Sequence, residues 1–458
     1  MKRYFLLIII LSVSLPNISQ AQFQKYRLGL KFNDFEYNKV PKRYFSVRGT
    51  RSMPVAHSLK QYCPKPLSQL DFTTSAGWAA SYAAFTIIKA RENGWTGDAI
   101  TKNAASPLYP YYKARLATGS EDEEVSLLDV IKALKEYGAP SYIELPSRYL
   151  DHVTRELEEK AGENRISEFA RLYDKHDGRL KKIQAIKSTL NENLPVIAGL
   201  HVANSFFYAK EFWQPRGAFD KNLPGHAVTI IGYDDNKYGG AFEIMNSWGT
   251  QWGNEGFMWI RYGDFIQYSE EAYDIYVIPG KTSGVELGGG IELTLVENQQ
   301  PMEIEQLSPG YYKISKSYPS GTLFTIRITN ESPAFIYAFA SDLTGDIYPF
   351  FPPSYTSAAL SKAASFYVPD ENTPAMIDET IGTDYLCVLF SKEDLDITGI
   401  FNHISGMGTG NFVDKVKDAL QGRLIPPKDI RFEAKSVAFK MRQSAQTVVM
   451  LIVEHEHK

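Results

Sequence analysis

The sequence predicts an α+β protein, in which a domain whose helices precede its strands is followed by a mostly-β domain. Between residues 56 and 279, amphipathic helix patterns come first and strand-like runs come later, which favours α+β packing over a βαβ repeat. Beyond residue 291, short β-like runs recur with turn signals between them, as in a β-sandwich. A hydrophobic content of 44% and a charged content of 22% in 458 residues are ordinary for a globular protein, so disordered and fibrous classes are excluded.

The first residues carry the pattern of a secretory signal peptide. Met1-Lys2-Arg3 precedes an apolar run over residues 4–15, and a polar stretch ends in the small-x-small site Ser19-Gln20-Ala21. We therefore expect residues 1–21 to be removed, although the run could also form a short buried helix. No later run approaches the ~20 apolar residues of a membrane-spanning helix. No transmembrane segment is predicted, and the mature chain is expected in the periplasm, outside the cell or on its surface.

Charge and side-chain spacing exclude several kinds of partner. The 49 basic and 53 acidic residues give a net charge of -4 without a basic block, so no nucleic-acid partner is predicted. The histidines lack metal-ligand spacing and no phosphate-binding glycine motif occurs, so neither a metal nor another cofactor is predicted. Cys63 and Cys387 are expected to be free buried thiols rather than a disulfide that joins two domains.

The first domain, residues 56–279, is preceded by an arm over residues 22–55 that is predicted to be irregular. A helix with Thr73 or Thr74 as its cap is predicted at 75–92, because large side chains recur at spacings of three and four opposite a face of small ones. Large residues on one face and small ones on the other predict a helix that is packed on both sides. A second amphipathic helix is predicted at 125–137, and residues 150–193 are expected to hold one or two exposed helices. The predicted strands of this domain are 195–202, 226–233, 241–246 and 256–262.

A glycine-rich segment separates the two domains in the sequence. Residues 280–290 end in Gly288-Gly289-Gly290 and are predicted to be a linker. The C-terminal mostly-β domain, residues 291–458, is predicted to contain one late helix at 411–420. Its predicted strands are 291–296, 323–328, 334–340, 364–368, 385–390 and 448–453.

Three separate stretches supply polar residues suited to acyl transfer. Gln69 stands six residues before Ser75, which opens the predicted helix at 75–92; His226 opens a strand, and Asn246 ends one. A nucleophile at a helix N-terminus gains from the partial positive charge there. A His can take its proton, and an Asn can fix the tautomer of that His. Each residue also has a structural interpretation: Ser75 as a helix cap, His226 as a core residue and Gln69 as a loop residue.

These stretches resemble the papain-like cysteine peptidases (C1 peptidases), in a branch of secreted bacterial proteins. The run at 246–257 follows the asparagine motif of that family. The run at 62–79, which holds Gln69 and Ser75, resembles the bacterial branch of the family without gaps. The resemblance implies a papain-like two-lobed domain over residues 56–279, with a helical lobe and a β-barrel-like lobe. A C-terminal β-sandwich-like domain would follow it.

The resemblance also implies roles for five residues. Ser75 would stand at the nucleophile position, His226 at that of the base and Asn246 at that of its orienting partner. Gln69 would donate its side-chain amide to an oxyanion, and Trp248 would cover the hydrogen bond between His226 and Asn246.

Three positions depart from the family pattern. Ser75 replaces the catalytic Cys, and Leu70 and Thr73 replace glycines. Because a serine hydroxyl titrates far above a thiol, His226 would have to act as a full general base, and the neutral Asn246 does not stabilise an imidazolium as a carboxylate does. A side chain at a glycine position with positive φ costs about 1–2 kcal/mol. Together the three changes favour decay or re-use of the site over adaptation.

The sequence therefore predicts a secreted pseudopeptidase that binds a peptide or protein in its retained cleft without cutting it. A slow hydrolase that uses Ser75, His226 and Asn246 is one alternative. The other is a structural or adhesive surface protein that works through the C-terminal β domain, whose partner the sequence does not indicate. Residues 22–55 are too few for an inhibitory prosegment of the usual length, which also favours an inactive protein.

Overall fold

The computed structural model describes residues 26–45, 53–119, 125–145, 153–277, 287–342, 346–361, 363–370, 372–377, 379, 382–408, 410–441 and 444–457. The predicted signal peptide and residues 280–286 of the predicted linker lie outside the described residues. Among the helices that the structure describes, none is both long and apolar enough to cross a bilayer.

The first domain combines helices with strands of one large sheet. Its helices are α1 (Asp34–Lys39), α2 (Ser75–Gly77, continued by Trp78–Phe85 and Thr86–Asn93), α3 (Asp98–Lys102), α4 (Leu108–Thr118), α5 (Leu127–Glu136), α6 (Arg155–Glu163), α7 (Arg179–Asn191), α8 (Asn204–Phe207) and α9 (Tyr262–Tyr268). Its strands are β1 (Leu30–Lys31), β2 (Ala56–Ser58), β3 (Val125–Ser126), β4 (Glu168–Arg171), β5 (Val196–His201), β6 (Phe212–Trp213), β7 (Gly225–Asp234), β8 (Ala241–Met245), β9 (Phe257–Arg261) and β10 (Ser269–Tyr276). Short 3₁₀ turns lie at Lys60–Tyr62 and Lys237–Gly239.

Helix α2 is the core of this domain. All residues from 75 to 88 are buried, which confirms the prediction of a helix packed on both faces. Its middle stretch, Trp78–Phe85, is a π-helix, a form often found at functional sites. The helix ends at Gly94, whose φ of +65° suits a residue without a side chain. Thr74 occupies the predicted cap position, but its side chain makes no hydrogen bond to the helix.

Ten of the described strands form the sheet, in the order β4-β10-β5-β7-β8-β9-β6, with β1 pairing with β3 and β7 and with β2 pairing with β7. The four predicted strands of this domain are present as β5, β7, β8 and β9. Strands β5 and β7 are antiparallel, with Leu200 opposite His226, and β7 and β8 are antiparallel, with Thr229 opposite Met245. His226 and Asn246 therefore come from neighbouring strands at one end of the sheet.

Two predictions for this domain need correction. The segment at 150–193 holds α6 and α7 as expected, but β4 lies between them, and Phe169, Ala170 and Arg171 of this strand are buried. The arm is not irregular throughout, since its described part contains β1 and α1. A strand of two residues and a helix of six are too short to show a periodicity in the sequence.

The C-terminal region consists of two sheets with two helices. Its strands are β11 (Gly288–Leu295), β12 (Ile304–Ser308), β13 (Tyr311–Ile314), β14 (Leu323–Asn330), β15 (Ala334–Ser341), β16 (Ile347–Phe351), β17 (Ala359–Leu360), β18 (Ala364–Val368), β19 (Ala375–Met376), β20 (Gly382–Ser391), β21 (Ile430–Phe432), β22 (Val437–Met441) and β23 (Val448–His457). Its helices are α10 (Ile397–Gly406) and α11 (Phe412–Ala419), with a 3₁₀ turn at Pro427–Asp429.

One sheet of this region has the order β18-β14-β11-β22-β21, with β19 beside β14. The other has the order β12-β13-β23-β20-β15-β16, with β17 beside β15. Each of the six predicted strands coincides with an observed strand, and α11 lies where the late helix was expected. Strands such as β12, β13 and β22 were not predicted.

The glycine run is a strand rather than a linker. Gly288-Gly289-Gly290 begins β11 and pairs with both β14 and β22. A Cβ on Gly289 would stand 2.5 Å from the carbonyl oxygen of Thr329 and would overlap the ring of Phe390 at Cε1. Glycine is needed here because a second strand and an aromatic ring approach the backbone closely, which composition alone does not distinguish from flexibility.

The arm also contacts both the region of the large sheet and the C-terminal region. The backbone N–H of Arg43 donates to Arg171 of β4 at 2.9 Å, and the N–H of Lys42 donates to Tyr355 at 2.7 Å. The ring of Tyr44 packs on Phe351 in the C-terminal region. Both cysteines are free thiols, with Cys63 half-buried and Cys387 buried.

Candidate active site

The structure brings the four predicted site residues together. Ser75 opens α2, His226 is the second residue of β7, Asn246 follows β8, and Gln69 lies in the loop before α2. All four are buried, with 1% of Ser75, 0% of His226, 3% of Asn246 and 2% of Gln69 exposed. The site is therefore closed to solvent, and its geometry decides what chemistry it supports.

His226 is held as the sequence suggests. Its Nε2 lies 2.7 Å from Oδ1 of Asn246, an acceptor, so Nε2 carries the proton and Nδ1 carries the lone pair. The ring of Trp248 lies against it, with 4.7 Å between the ring centroids. Burial lowers the pKa of His226 from its ordinary value to about 4, and the hydrogen bond to Asn246 opposes this only in part. The imidazole is therefore neutral at physiological pH.

Ser75 does not contact this base by a hydrogen bond. Its Oγ accepts the backbone N–H of Ala227 at 3.3 Å. Nδ1 of His226 is buried and has no hydrogen-bond partner among the described residues. The bond between nucleophile and base, through which a serine is activated, is thus not formed.

Gln69 is fully engaged by other groups. Its Nε2 donates to the carbonyl oxygen of Phe72 at 2.5 Å and to that of Arg27 at 3.1 Å. Its Oε1 accepts the hydroxyl of Ser247 at 2.6 Å, which fixes the direction of the amide. Both protons of the predicted oxyanion donor therefore point at carbonyl groups of the chain itself.

The two loop positions that depart from glycine behave differently. Leu70 has a φ of +56°, a conformation that side chains disfavour, and 56% of its surface is exposed. Thr73 is buried, and its hydroxyl lies 3.3 Å from that of Tyr111. Leu70 is therefore strained at the surface, whereas Thr73 packs inside the site.

The arm lies across the site. The carbonyl oxygen of Arg27 faces Gln69, and the N–H of Gly29 donates to the carbonyl oxygen of Gly225 at 3.3 Å. Leu30 pairs with Val125 of β3 in parallel and with Gly225 of β7 in antiparallel orientation.

Aromatic residues hold both ends of this segment. Tyr26 stacks on Trp248, with 4.7 Å between the ring centroids. Phe32 lies at the same distance from the ring of His201. The arm, although shorter than a usual prosegment, occupies the cleft, which corrects the expectation that no segment would restrain the site.

Thr73 and the arm share a close contact. A Cβ on Gly29 would stand 2.6 Å from Cγ2 of Thr73, so the arm approaches the loop only because residue 29 lacks a side chain. The contribution of the arm was missed in the sequence because Gly29 and the aromatic residues around it form no motif. Among the described residues, no group of three His, Cys, Asp or Glu side chains is placed to hold a metal ion.

Part of this chain is similar to known proteins of the papain family. Residues 132–277 match the family model described as papain family cysteine protease. An uncharacterized peptidase C1-like protein of Acanthamoeba polyphaga mimivirus is 24% identical over 234 residues, which span 48% of this chain and 73% of that protein. Cathepsin B-like cysteine proteinase 3 of Ostertagia ostertagi is 35% identical over 89 residues, 18% of this chain and 51% of that protein. Xylellain, a cysteine protease from Xylella fastidiosa, superposes with a TM-score of 0.45 at 21% identity and covers 56% of this chain and 97% of its own.

Proposed function

We propose that this chain is a pseudopeptidase, which binds an extended peptide segment in its cleft without cutting it, because residues 132–277 match the papain family model while the site has the geometry described above. One observation supports this most strongly: Ser75 accepts a backbone N–H while Nδ1 of His226 stays without a partner among the described residues. Without a hydrogen bond to Nδ1, the hydroxyl of Ser75 has no direct path for its proton to the base in this arrangement.

The electrostatics of His226 support the same proposal. A base with a pKa near 4 holds a proton weakly, and a serine hydroxyl gives one up only at far higher pH. Burial opposes the imidazolium that proton transfer would create, and Asn246 offers no charge to stabilise it. Serine chemistry at this site is therefore expected to be very slow.

A slow hydrolase remains the second candidate, because the bond between His226 and Asn246 keeps Nδ1 in the tautomer of a general base. A fluorophosphonate probe on the full chain separates the two functions. We expect no labelling of Ser75 that depends on His226, so the wild type and His226→Ala should give the same signal. Labelling that disappears in His226→Ala would establish the hydrolase instead. Ser75→Cys should also fail to cleave peptides briskly, since Gln69 is engaged by Arg27.

The cleft has the features of a peptide-binding groove. The carbonyl of Gly225 and the edge of β3 offer backbone hydrogen bonds to an extended strand, as in β-augmentation. Trp248 offers a stacking surface for an aromatic ring. The arm itself shows what fits: an aromatic residue, then a glycine three positions later beside Thr73, then a second aromatic residue.

The test of peptide binding uses a fluorescent synthetic peptide with the sequence of residues 26–32. We expect it to bind a chain whose own arm is loosened by Gly29→Ala, and to bind the wild type more weakly because the arm competes. The matched control peptide carries Val in place of Gly29 and should not bind. Equal fluorescence anisotropy for both peptides would refute the groove.

We also propose that the chain is exported, on the basis of the charged start and apolar run of residues 1–21. Fusion of these residues to a periplasmic reporter enzyme tests the proposal. A reporter that stays in the cytoplasm would contradict it.

A further inference from the structure

A fully buried carboxyl group lies directly under the arm. Glu271 is 3% exposed and stands opposite Gly199 in the pairing of β10 with β5. A Cβ on Gly199 would stand 2.7 Å from Cε1 of Phe32 and 2.9 Å from Cγ of Glu271. The same Cβ would stand 3.0 Å from Oε1 of Glu271, so the ring of Phe32 and the carboxyl group of Glu271 lie side by side in the space that this glycine leaves.

The carboxyl group is incompletely hydrogen-bonded. The hydroxyl of Tyr273 donates to Oε2 at 2.8 Å, whereas Oε1 is buried without a hydrogen-bond partner in the described part of the chain. An ionised carboxylate needs several donors when it is buried, and one donor does not replace its hydration. The protonated form is therefore favoured for as long as the arm covers it.

The surroundings add little positive charge. Asp34 and Glu270 disfavour ionisation of Glu271, Lys175 favours it, and Tyr37 and Tyr173 also face it. Lys175 is itself held between the carboxylates of Asp34 and Glu270, with its Nζ 2.5 Å from an oxygen of each. The nearest cation is thus already paired. His201 packs on Phe32 and lies 3.1 Å from Oε1 of Glu270.

We propose that Glu271 makes closure of the cleft depend on protonation, so that the segment at 26–32 stays docked while Glu271 is protonated and lifts away when Glu271 ionises. The proposal goes beyond the proposed function, because it concerns the arm of the chain and holds whatever the cleft binds. When Phe32 leaves, water reaches the carboxyl group and stabilises its charge. Docking of the arm therefore takes up a proton.

The direction of the pH dependence follows from linkage. Burial raises the pKa of Glu271 from its ordinary value of 4.5 to about 8. Below pH 4.5 Glu271 is protonated whether the arm is docked or lifted, and docking is strongest. Between pH 4.5 and about 8 Glu271 ionises only when the arm is lifted, so the docking constant falls by up to about tenfold per pH unit. Above that range the fall levels off.

Amide exchange of the segment at 26–32 in the full chain measures docking. At each pH from about 5 to about 9, the exchange rate of a synthetic peptide of the same sequence is divided by the rate of the segment in the full chain. This ratio removes the intrinsic pH dependence of exchange. The resulting protection should fall with pH in the wild type and stay flat in Glu271→Gln. Glu270→Gln is the matched control and should keep a fall in protection with pH, because the carboxyl group of Glu270 has a pKa of about 2 and is ionised throughout. The fall should end at a lower pH than in the wild type, since loss of Glu270 removes a nearby negative charge and a partner of Lys175.

A second variant guards against misfolding of Glu271→Gln. Phe32→Ala keeps the carboxyl group but lets water reach it in both states, so the slope should also disappear. A slope that persists in Glu271→Gln would assign the pH dependence to His201 and overturn the proposal, as would protection in the wild type that does not change with pH. Failure of the labelled peptide to bind would refute the proposed function alone, since arm exchange is measured without it.

Discussion

Substitution of Gly29 by Ala tests whether the arm is held by close contact with the loop at Thr73. The φ of Gly29 is not in the left-handed region, so alanine brings no backbone strain and the effect is purely steric. The added Cβ would stand 2.6 Å from Cγ2 of Thr73, well inside the 3.0 Å that real Cβ atoms respect. Either the arm or the loop must move.

The cost follows from the size of the overlap. Ordinary contact begins near 3.4 Å, so the two groups have to separate by most of an ångström. Insertion of a methyl group into a well-packed site costs about 1–3 kcal/mol. That corresponds to a docking constant lowered by a factor of about 5–150. The hydrogen bond from Gly29 to Gly225, 3.3 Å in length, would be lost with it.

The assay is amide exchange of the segment at 26–32, with Thr73→Gly as the compensating change. We expect fast exchange in Gly29→Ala and restored protection in the double variant Gly29→Ala with Thr73→Gly, because the methyl group then has room. Thr73→Gly alone should lose part of the protection, because the arm then lacks the threonine side chain that it packs against. Unchanged protection in Gly29→Ala, or no recovery in the double variant, would show that the arm is not held by this contact.

Three further predictions concern stability, and denaturant unfolding of the full chain measures each. Leu70→Gly should raise the free energy of unfolding by about 0.5–1 kcal/mol. The left-handed backbone costs about 1–2 kcal/mol with a side chain, and the greater entropy of glycine in the unfolded chain cancels part of the gain. A lower free energy of unfolding would show that the Leu70 side chain has a packing role. Asn246→Ala should lower it by about 1–3 kcal/mol, since the buried Nε2 of His226 loses its partner. An unchanged value would mean that water replaces the amide. Gly289→Val should lower the free energy of unfolding by more than about 1 kcal/mol, because its side chain would overlap the ring of Phe390. An unchanged free energy of unfolding would show that close packing does not require glycine at this position.

Long, periodic elements were predictable from the sequence, and contacts between distant segments were not. The strands around His226 and Asn246 read as apolar runs and lie where they were predicted. The helix of Ser75 was predicted because its faces differ in side-chain size, although its π-helical middle was not. Strand β4 was missed because charged residues flank it and only tertiary packing selects its conformation.

The site shows the same limit. The sequence identified Gln69, Ser75, His226 and Asn246, which the structure brings together, because their types and spacing follow a motif. It did not identify the arm as the occupant of the cleft. Nor did it single out Glu271, since a glutamate in a strand of mixed polarity reads as a surface residue, and its burial depends on Phe32 from a segment far away in the chain.

The structure separates two explanations that the sequence left together. Leu70 keeps a strained backbone, projects into solvent and gains little packing, which is what decay of an unused loop produces. Thr73 is buried against the arm at the one point where the arm has no side chain. A threonine opposite a glycine is a matched contact, and neither residue has this role without the other. We therefore propose re-use for Thr73 and decay for Leu70, and the double variant at positions 29 and 73 measures how much of the closed state depends on that match.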